Sequence, residues 1–586
     1  MAEPKSTDEY YNLVVIGAGL AGLVSAQRYL DVHPTAHITI LEKGYCVGGV
    51  FGRARLYPGF HTQWTVGLSE FADCAMQRPP AEDCLGDSYK AQYTTEYLES
   101  YAAKKGHGGQ TLGERIKFGV DVRNVEKAGG GWRLECTEGE EKRTVGFTAE
   151  KVMVATGVHD QANVPQFQGK ETFGAPIIHS ADFGASNILS APNTSNVTIL
   201  GCGKSAADIL YECIQKGKNV TWVVREPGYF APTDLPSPYA NVLEAAQTRV
   251  MSLLQPSVLH GDGWWVWFLH RTFIGIALVG FIFSVVDKEA RKRANYQGRP
   301  EAKNFEKLEY NPSIFWQNNT GGALHHADFW DLIAQKVSIH RGSIASLSPN
   351  QIHLDTGASI ASDALLLGTG WKSSLTFFAP DLAASLGLPH DPSLEEPRES
   401  EKWTSLESTA DVALTKRFPM LASPPPHSLK RLEGTPYRLY HTIAPISDER
   451  DRSIVFINSL VAGNMIFQAE MQAMWAVTYF DGNLQLPTPE EMEKDVATNV
   501  AYMKRRYLSN GQAGNYMVFD MIPYADRLMR EMGVEKSWSG GKSTFGVNRP
   551  ADLGRCWEEY LKGRGKEVGW QLYILIIYIS KIRLAS

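Results

Sequence analysis

The feature that most limits what this chain can fold into is a glycine turn that occurs twice. Residues 12–16 (NLVVI) form a short apolar run, GAGLAG follows at 17–22, and a helical pattern continues through Leu30. A second apolar run, His37–Leu41, then ends at Glu42. Strand, glycine turn, helix and strand in that order make a βαβ unit. Gly17 permits the tight turn, Gly19 lets the backbone approach a pyrophosphate, and Gly22 lets helix and strand pack closely. The phosphates would face free N–H groups at the helix N-terminus. Glu42 is placed to accept a hydrogen bond from a ribose hydroxyl. G-x-G-x-x-G alone is a weak signal, but set between two strands with an acid 20 residues after Gly22 it is a strong one.

The second unit begins at 197 with VTIL, continues through GCGKSA at 201–206 and a helix to about Lys216, and ends in VTWVV at 220–224. Gly201 and Gly203 repeat the turn, and Ala206 is a tolerated substitute for the third glycine. Lys204 and Ser205 lie in this turn, where Lys204 would add positive charge. No acid ends the second strand, and Arg225 stands there instead. An arginine fits a 2′-phosphate better than a free ribose hydroxyl, which points to NADPH over NADH. Two later segments, VMVATG (152–157) and ALLLGTG (364–370), share a pattern that ends in Thr-Gly, at Thr156-Gly157 and Thr369-Gly370.

The stretch LEKGYCVGGVFG (41–52), with Gly48, Gly49 and Phe51, resembles the ExxxxxGGxW/F segment of FAD enzymes. Between the two units, FQGKETFGAPIIHSADF (167–183) resembles the fingerprint of flavin-containing monooxygenases through Phe167, Gly169, His179, Ser180 and Phe183. LYHTIAP (439–445), the 464–482 segment with Glu470, Gln472, Trp475 and Gly482, and IPYADRLMREMGV (522–534) resemble further stretches of that family, so the likeness covers about residues 10 to 560. It implies an FAD- and NADPH-dependent monooxygenase that passes one oxygen atom of O2 to a substrate. His179 would shape the NADPH site, and Gln63, in YPGFHTQ, would supply the side-chain amide beside the flavin where family members often carry asparagine. Gln63 and His179 are therefore the candidate catalytic residues. Phe183-Gly184 does not fit the fingerprint ending of Baeyer–Villiger relatives. Disulfide reductases need a second cysteine beside the flavin loop, and Phe51 stands five residues after Cys46 where it would be.

The expected fold is therefore α/β: two dinucleotide-binding, Rossmann-like domains, with the NADPH domain inserted into a discontinuous FAD domain. The expected boundaries are 1–167 for the first part of the FAD domain, 168–335 for the NADPH domain, 336–562 for the second FAD part and 563–586 for a tail. Residues 391–435, rich in Pro, Ser and charge, read as a surface insertion. The formal charge of −6 is spread along the chain, with no basic block to argue for nucleic acid. Seven scattered cysteines, without a Cys-x-x-Cys, suggest free thiols in a reducing compartment and no metal site. The N-terminus lacks a signal-like apolar stretch, so a cytoplasmic start is expected, and the sequons at Asn193, Asn196, Asn219 and Asn318 read as chance.

One segment complicates a cytoplasmic reading. Trp264–Val286 is 23 residues long and mostly apolar, with Lys288, Arg291, Lys292 and Arg293 beyond it, and by length it could span a bilayer. A span would place 17–22 and 368–370 apart, although both are expected in one FAD domain, and would bury His270 and Arg271 at a cost. An interfacial helix on a membrane surface is favoured, with a buried lid and a true span as alternatives. The tail WQLYILIIYIS (570–580) is too short to span alone. The implied partners are O2 and a small apolar organic substrate, with secondary metabolism as the suspected setting; the oligomeric state is not readable. Two other classes stay open: a flavin oxidase or dehydrogenase without oxygenation, and a non-enzymatic membrane-associated protein.

Overall fold

A computed structural model describes residues 8–104, 106–230, 239–299, 301–302, 304–316, 320–322, 326–427, 432 and 434–564. Asn318 and the 570–580 stretch lie outside the described residues. The architecture is α/β, built on two sheets with parallel cores.

The first sheet runs in the order Ile116–Phe118, Ile38–Glu42, Glu9–Ile16, Arg143–Val154, Gly131–Glu138, Val120–Ala128. Val14 pairs with Thr39 on one side and Val152 on the other, both in parallel register. These strands are covered on both faces, which is why VVI and VMV read as unbroken apolar runs. A strand from far along the chain, Ile454–Phe456, joins the end of Arg143–Val154 with Val455 opposite Met153. Both ends of the chain therefore build one domain.

The second sheet is wholly parallel, in the order Ile177–His179, Ala364–Leu367, Asn196–Leu200, Asn219–Val224, Val337–Arg341. This corrects the boundary placed at 335. Val337–Arg341 pairs with Asn219–Val224, and Ala364–Leu367 lies between two strands of the same sheet, so this domain extends to about residue 367. The 364–370 segment thus completes the second domain, not the first.

Residues 391–435 are not a simple surface insertion. They contain a 21-residue helix, Pro397–Arg417, that starts at a proline in its first turn and buries Trp403, Ala410 and Leu414. Trp403 packs with Val496, Ala497 and Val500 of the Pro489–Arg506 helix.

The three downstream stretches singled out in the sequence converge on one buried network. The Met465–Phe480 helix is buried almost throughout and packs against Leu20–Val32, where Arg28 donates to Glu470 at 2.8 Å. Gln472 donates to the Tyr524 hydroxyl at 2.8 Å, and Tyr524 donates to the His441 carbonyl at 2.7 Å. Glu531 accepts from Trp475 Nε1 at 3.0 Å and the Tyr440 hydroxyl at 3.0 Å, and lies 2.8 Å from His441 Nε2. Burial opposes ionisation of Glu531, but His441, Trp475 and Arg527 outweigh it and hold the carboxyl down at about 2. The group's folded pKa lies below its unfolded value, so its stabilisation is present above about pH 4.5 and is lost as pH falls toward 2. We expect the melting temperature of the wild type to fall over that window, and Glu531→Gln, already destabilised by about 2–3 kcal/mol, to show a flatter profile. Parallel melting curves for the two proteins would contradict this assignment.

Candidate functional site

The two glycine turns have the same construction. Gly17 has φ +104° and Gly201 φ +115°, a region that L side chains avoid. A Cβ on Gly17 would stand 2.8 Å from the Ala155 carbonyl oxygen, and one on Gly201 2.3 Å from that of Gly368. Each turn therefore sits directly on the end of the neighbouring strand.

The third position is solved differently in the two units. A Cβ on Gly22 would lie 1.8 Å from the Gly17 carbonyl oxygen, so only glycine lets this helix close on its strand. In the second unit Ala206 keeps its methyl, and the space comes from Gly368, whose own Cβ would stand 2.5 Å from that of Ala206. Gly368 was missed in the sequence, where only Thr369 and Gly370 were singled out in ALLLGTG.

The middle glycines have room. Gly19 and Gly203 are the extended N-cap residues of Leu20–Val32 and Lys204–Gln215, and no side chain caps either helix. A Cβ on Gly19 would meet nothing nearer than Gly49 Cα at 3.8 Å, and one on Gly203 would meet nothing within 4 Å. An uncapped helix N-terminus with open space above its glycine is the cradle a pyrophosphate needs. Ser205 lies in the first turn of the second helix, half-buried. Glu42 takes the Ala18 N–H on Oε2 and the Gly44 N–H on Oε1, each at 2.8 Å, and so braces the first turn.

The loop after Glu42 closes over this turn. Gly48 (φ +113°) donates its N–H to the Ala18 carbonyl at 3.0 Å, and a Cβ on Gly49 would touch Gly19 Cα at 3.4 Å. Phe51 is buried, with Trp64 at 4.7 Å and Phe60 at 5.8 Å between ring centres. Gln63 is half-buried and directly precedes Trp64, the residue that packs on Phe51. From Phe60 the aromatic contacts continue to Tyr57 at 5.0 Å and on to Phe183 of the second domain at 5.2 Å.

The same loop meets the second helix. Tyr57 donates to Asp208 at 3.2 Å, and Lys204 donates to Asp208 at 2.6 Å and to the His61 carbonyl at 3.2 Å. Lys204, expected to add positive charge to the turn, thus forms an ion pair one helical turn on and a contact across the domain boundary. Burial raises the Asp208 carboxyl, and Lys204 opposes that shift. Tyr57 and Asp208 carried no motif, and their partnership is invisible along the chain. Arg225, in contrast, is exposed at the end of Asn219–Val224 and pairs with no described residue.

His179 is fully engaged by main chain. Its Nε2 lies 3.0 Å from the Gly370 carbonyl, to which it donates, and its Nδ1 accepts the Ala181 N–H at 3.1 Å. Burial lowers its pKa, which favours the neutral ring these contacts require. It is a positioning residue and has no ring nitrogen left for proton transfer. The two Thr-Gly segments are the crossings between domains: Thr369 donates to the Asn163 carbonyl at 2.6 Å, Ser374 donates to Thr156 at 2.9 Å, and Gln161–Ala162 pairs with Trp371–Lys372. Gly157 and Gly370 have φ +66° and +80° at these crossings. Gly169 (φ +79°) abuts the Leu347 carbonyl, and a Cβ on Gly184 would stand 2.3 Å from the Leu56 carbonyl oxygen, which explains a glycine after Phe183.

Among the described residues no group of three or more His, Cys, Asp or Glu could hold a metal ion, and all seven cysteines are free. The glycine geometry separates two substitutions. Gly19→Ala has room within the protein and should yield a folded, colourless chain, because its methyl enters only the cradle. Gly22→Ala should fail to fold. Flavin absorbance together with circular dichroism checks this, and a folded Gly19→Ala protein that retains full flavin would contradict it.

Comparison with known proteins agrees with the geometry. The pattern of the pyridine nucleotide-disulphide oxidoreductase family matches residues 14–254, and that of the flavin-binding monooxygenase-like family matches 411–538. The FAD-dependent monooxygenase resA of Aspergillus sclerotiorum is 30% identical over 94% of this chain and 98% of its own length. An FAD-dependent monooxygenase of Pyrenophora dematioidea is 31% identical over 89% of this chain and 98% of its own. In fold, the polycyclic ketone monooxygenase of Thermothelomyces thermophila is similar with a TM-score of 0.58 at 16% identity, covering 90% of this chain and 89% of that one. The chain belongs to the family of FAD-dependent, flavin-binding monooxygenases and uses FAD and NADPH.

Proposed function

We propose that this monooxygenase acts on a small apolar organic molecule, of the kind made in secondary metabolism, and meets it at a membrane surface. The observation that carries this reading is the exposed apolar face of the 264–294 region, on which Phe273, Ile274 and Phe281 stand in solvent. An enzyme placed against lipid takes its substrate from the phase in which an apolar molecule concentrates. The Gly17–Gly22 cradle would hold FAD, which would supply the chemistry by which two electrons from NADPH reduce O2, one oxygen atom entering the substrate and the other leaving as water.

The chain's own residues bind, orient and exclude water. The Gly17–Gly22 cradle and the Gly48–Phe51 loop would hold FAD, with Glu42 keeping the turn in shape. Gln63 would present its amide as a hydrogen-bond donor at the flavin edge, one methylene longer than the asparagine usual in the resembled family. The Gly201–Gly203 turn and Ser205 would receive the second pyrophosphate, and Arg225 would read the 2′-phosphate. Thr156, Gly157, Thr369 and Gly370 would shape the wall between the two nucleotides at the domain crossings. His179 would hold that wall still.

Two measurements test these roles. Loss of one charge-assisted contact weakens binding by about 1.5–3 kcal/mol, so Arg225→Ala should raise KM for NADPH roughly 10- to 100-fold while sparing NADH. Equal damage with both nucleotides would contradict that reading. With NADPH, 18O2 and an apolar extract of the source cells, a product should gain one labelled oxygen atom. In Gln63→Ala, more of the NADPH consumed should appear as hydrogen peroxide. Stoichiometric peroxide from the wild type with no labelled product would establish an oxidase instead.

A further inference from the structure

The apolar segment is not one helix. Thr272 (φ −95°, ψ 148°) interrupts it and caps the second helix by accepting the Gly275 N–H at 3.0 Å. Trp264–Arg271 and Phe273–Ala294 therefore meet at 77°, and no single helix among the described residues is long and apolar enough to cross a membrane. Gly275 makes the elbow tight, since its Cβ would stand 1.9 Å from the Phe268 carbonyl oxygen. His270 is buried inside it, 2.8 Å from the Leu253 carbonyl, and burial lowers its pKa to about 4, so it is neutral. The inner side is thus packed against the protein, with His270 edge-on to Phe418 at 5.7 Å and its Nδ1 buried without a hydrogen-bond partner.

The outer side has no partner. Phe273 is 87% exposed, Ile274 67%, Phe281 66% and Val285 48%, with Trp264 and Trp265 at 60% and 57% across the bend. Exposed cations bound this face: Arg271 at the bend, and Lys288 and Lys292 where the same helical face continues. Of the acids on the second helix, Asp287 pairs with Arg291, and Glu289 pairs with Arg293 at 3.1 Å and more loosely with Lys292 at 3.9 Å, which leaves Arg271 and Lys288 as the cations no acid of this helix meets. At the base of the first helix a cavity of about 200 Å³ is lined by Asp262, Trp264, Trp267, Arg271, Arg417 and Phe418. Arg417 donates to the His260 carbonyl at 2.6 Å and faces Asp262 at 3.3 Å, while its Nε is buried without a hydrogen-bond partner.

We propose that the elbow docks on an anionic phospholipid surface, with the cavity between Arg271 and Arg417 taking a headgroup phosphate. This rests on the membrane reading above and names its lipid. Three features favour it. Tryptophans beside an aliphatic face suit the headgroup boundary, where their rings are amphipathic. Two guanidiniums line one cavity, with Arg271 Nε donating to the Arg417 carbonyl at 3.4 Å, and a phosphate there would take the place of Asp262 beside Arg417. The chain as a whole carries −6, so attraction to an anionic surface must come from this local ring of cations. A second copy of the chain is a poor occupant, because a two-fold contact would set Arg271, Lys288 and Lys292 against like charges with Asp262 as the exposed acid nearby.

Flotation of the full-length holoenzyme, the 570–580 stretch included, tests this with vesicles of phosphatidylcholine alone and of phosphatidylcholine mixed with phosphatidylserine. The wild type should prefer the mixed vesicles. Arg271→Glu should bind them at least about fivefold more weakly, as expected for about 1 kcal/mol per basic residue, with unchanged binding to the neutral ones. Phe273→Ser/Phe281→Ser, whose positions are exposed, should keep its flavin and lose both. Equal wild-type binding to the two vesicle types, unaltered in Arg271→Glu, would overturn the headgroup site and leave the membrane reading standing. Absence of binding to either would overturn both. Binding that survives Phe273→Ser/Phe281→Ser, or a dimer by light scattering that this variant dissociates, would also overturn the proposal.

Discussion

In each domain the first helix is pressed so closely against the end of a strand, the preceding one in the first domain and the adjacent one in the second, that one methyl group decides whether the arrangement exists. A Cβ added at Gly22 would stand 1.8 Å from the Gly17 carbonyl oxygen, and one added at Gly368 would stand 2.5 Å from the Ala206 methyl. Both contacts aim an uncapped helix N-terminus at the space above a glycine, which is the physical basis of dinucleotide binding here. The two units reach it by different routes: the first keeps its glycine within the helix, and the second moves it to the adjacent strand. Protein interiors do not leave slack for an extra carbon, so the exchange has to be made in pairs.

These turns are useful only when their domains hold a fixed relation. Two chain crossings and one loop do that. The crossings pair with each other through Asn163 and Thr369, with His179 tying the fingerprint strand to Gly370. The loop after the Gly48–Gly49 pair lies on the second helix through Tyr57, Asp208 and Lys204. His179, expected to shape the NADPH site, and Lys204, expected to add charge to the second turn, both bond to protein groups that tie the domains together. Both have saturated their polar groups inside the protein, and a saturated group has little left to give a ligand.

Much of this was legible in the sequence because it is local. A glycine turn between two apolar runs specifies strand, turn and helix without reference to the rest of the chain, and the observed elements agree within a few residues. Some failures are non-local and others come from weak local signals. VMVATG and ALLLGTG look alike because both are parallel strands buried on both faces, and nothing in either says which sheet it enters. The Pro397–Arg417 helix buries only Trp403, Ala410 and Leu414 beneath a polar surface, so its apolar stripe is faint beside the Pro and Ser around it. The 264–286 segment reads as continuous because hydropathy does not register a threonine cap, and Thr272 divides it. Gly368 escaped notice because its importance depends on Ala206, more than 150 residues earlier.

The central claim is that two cradles on one chain bring a pyridine nucleotide and a flavin into productive contact. Anaerobic titration of the purified protein with NADPH tests it most directly. The account predicts a yellow protein whose visible flavin absorbance is lost on addition of about one equivalent of NADPH per bound flavin and returns on admission of O2. A well-folded protein that carries no flavin, or one whose flavin NADPH leaves oxidised, would contradict it.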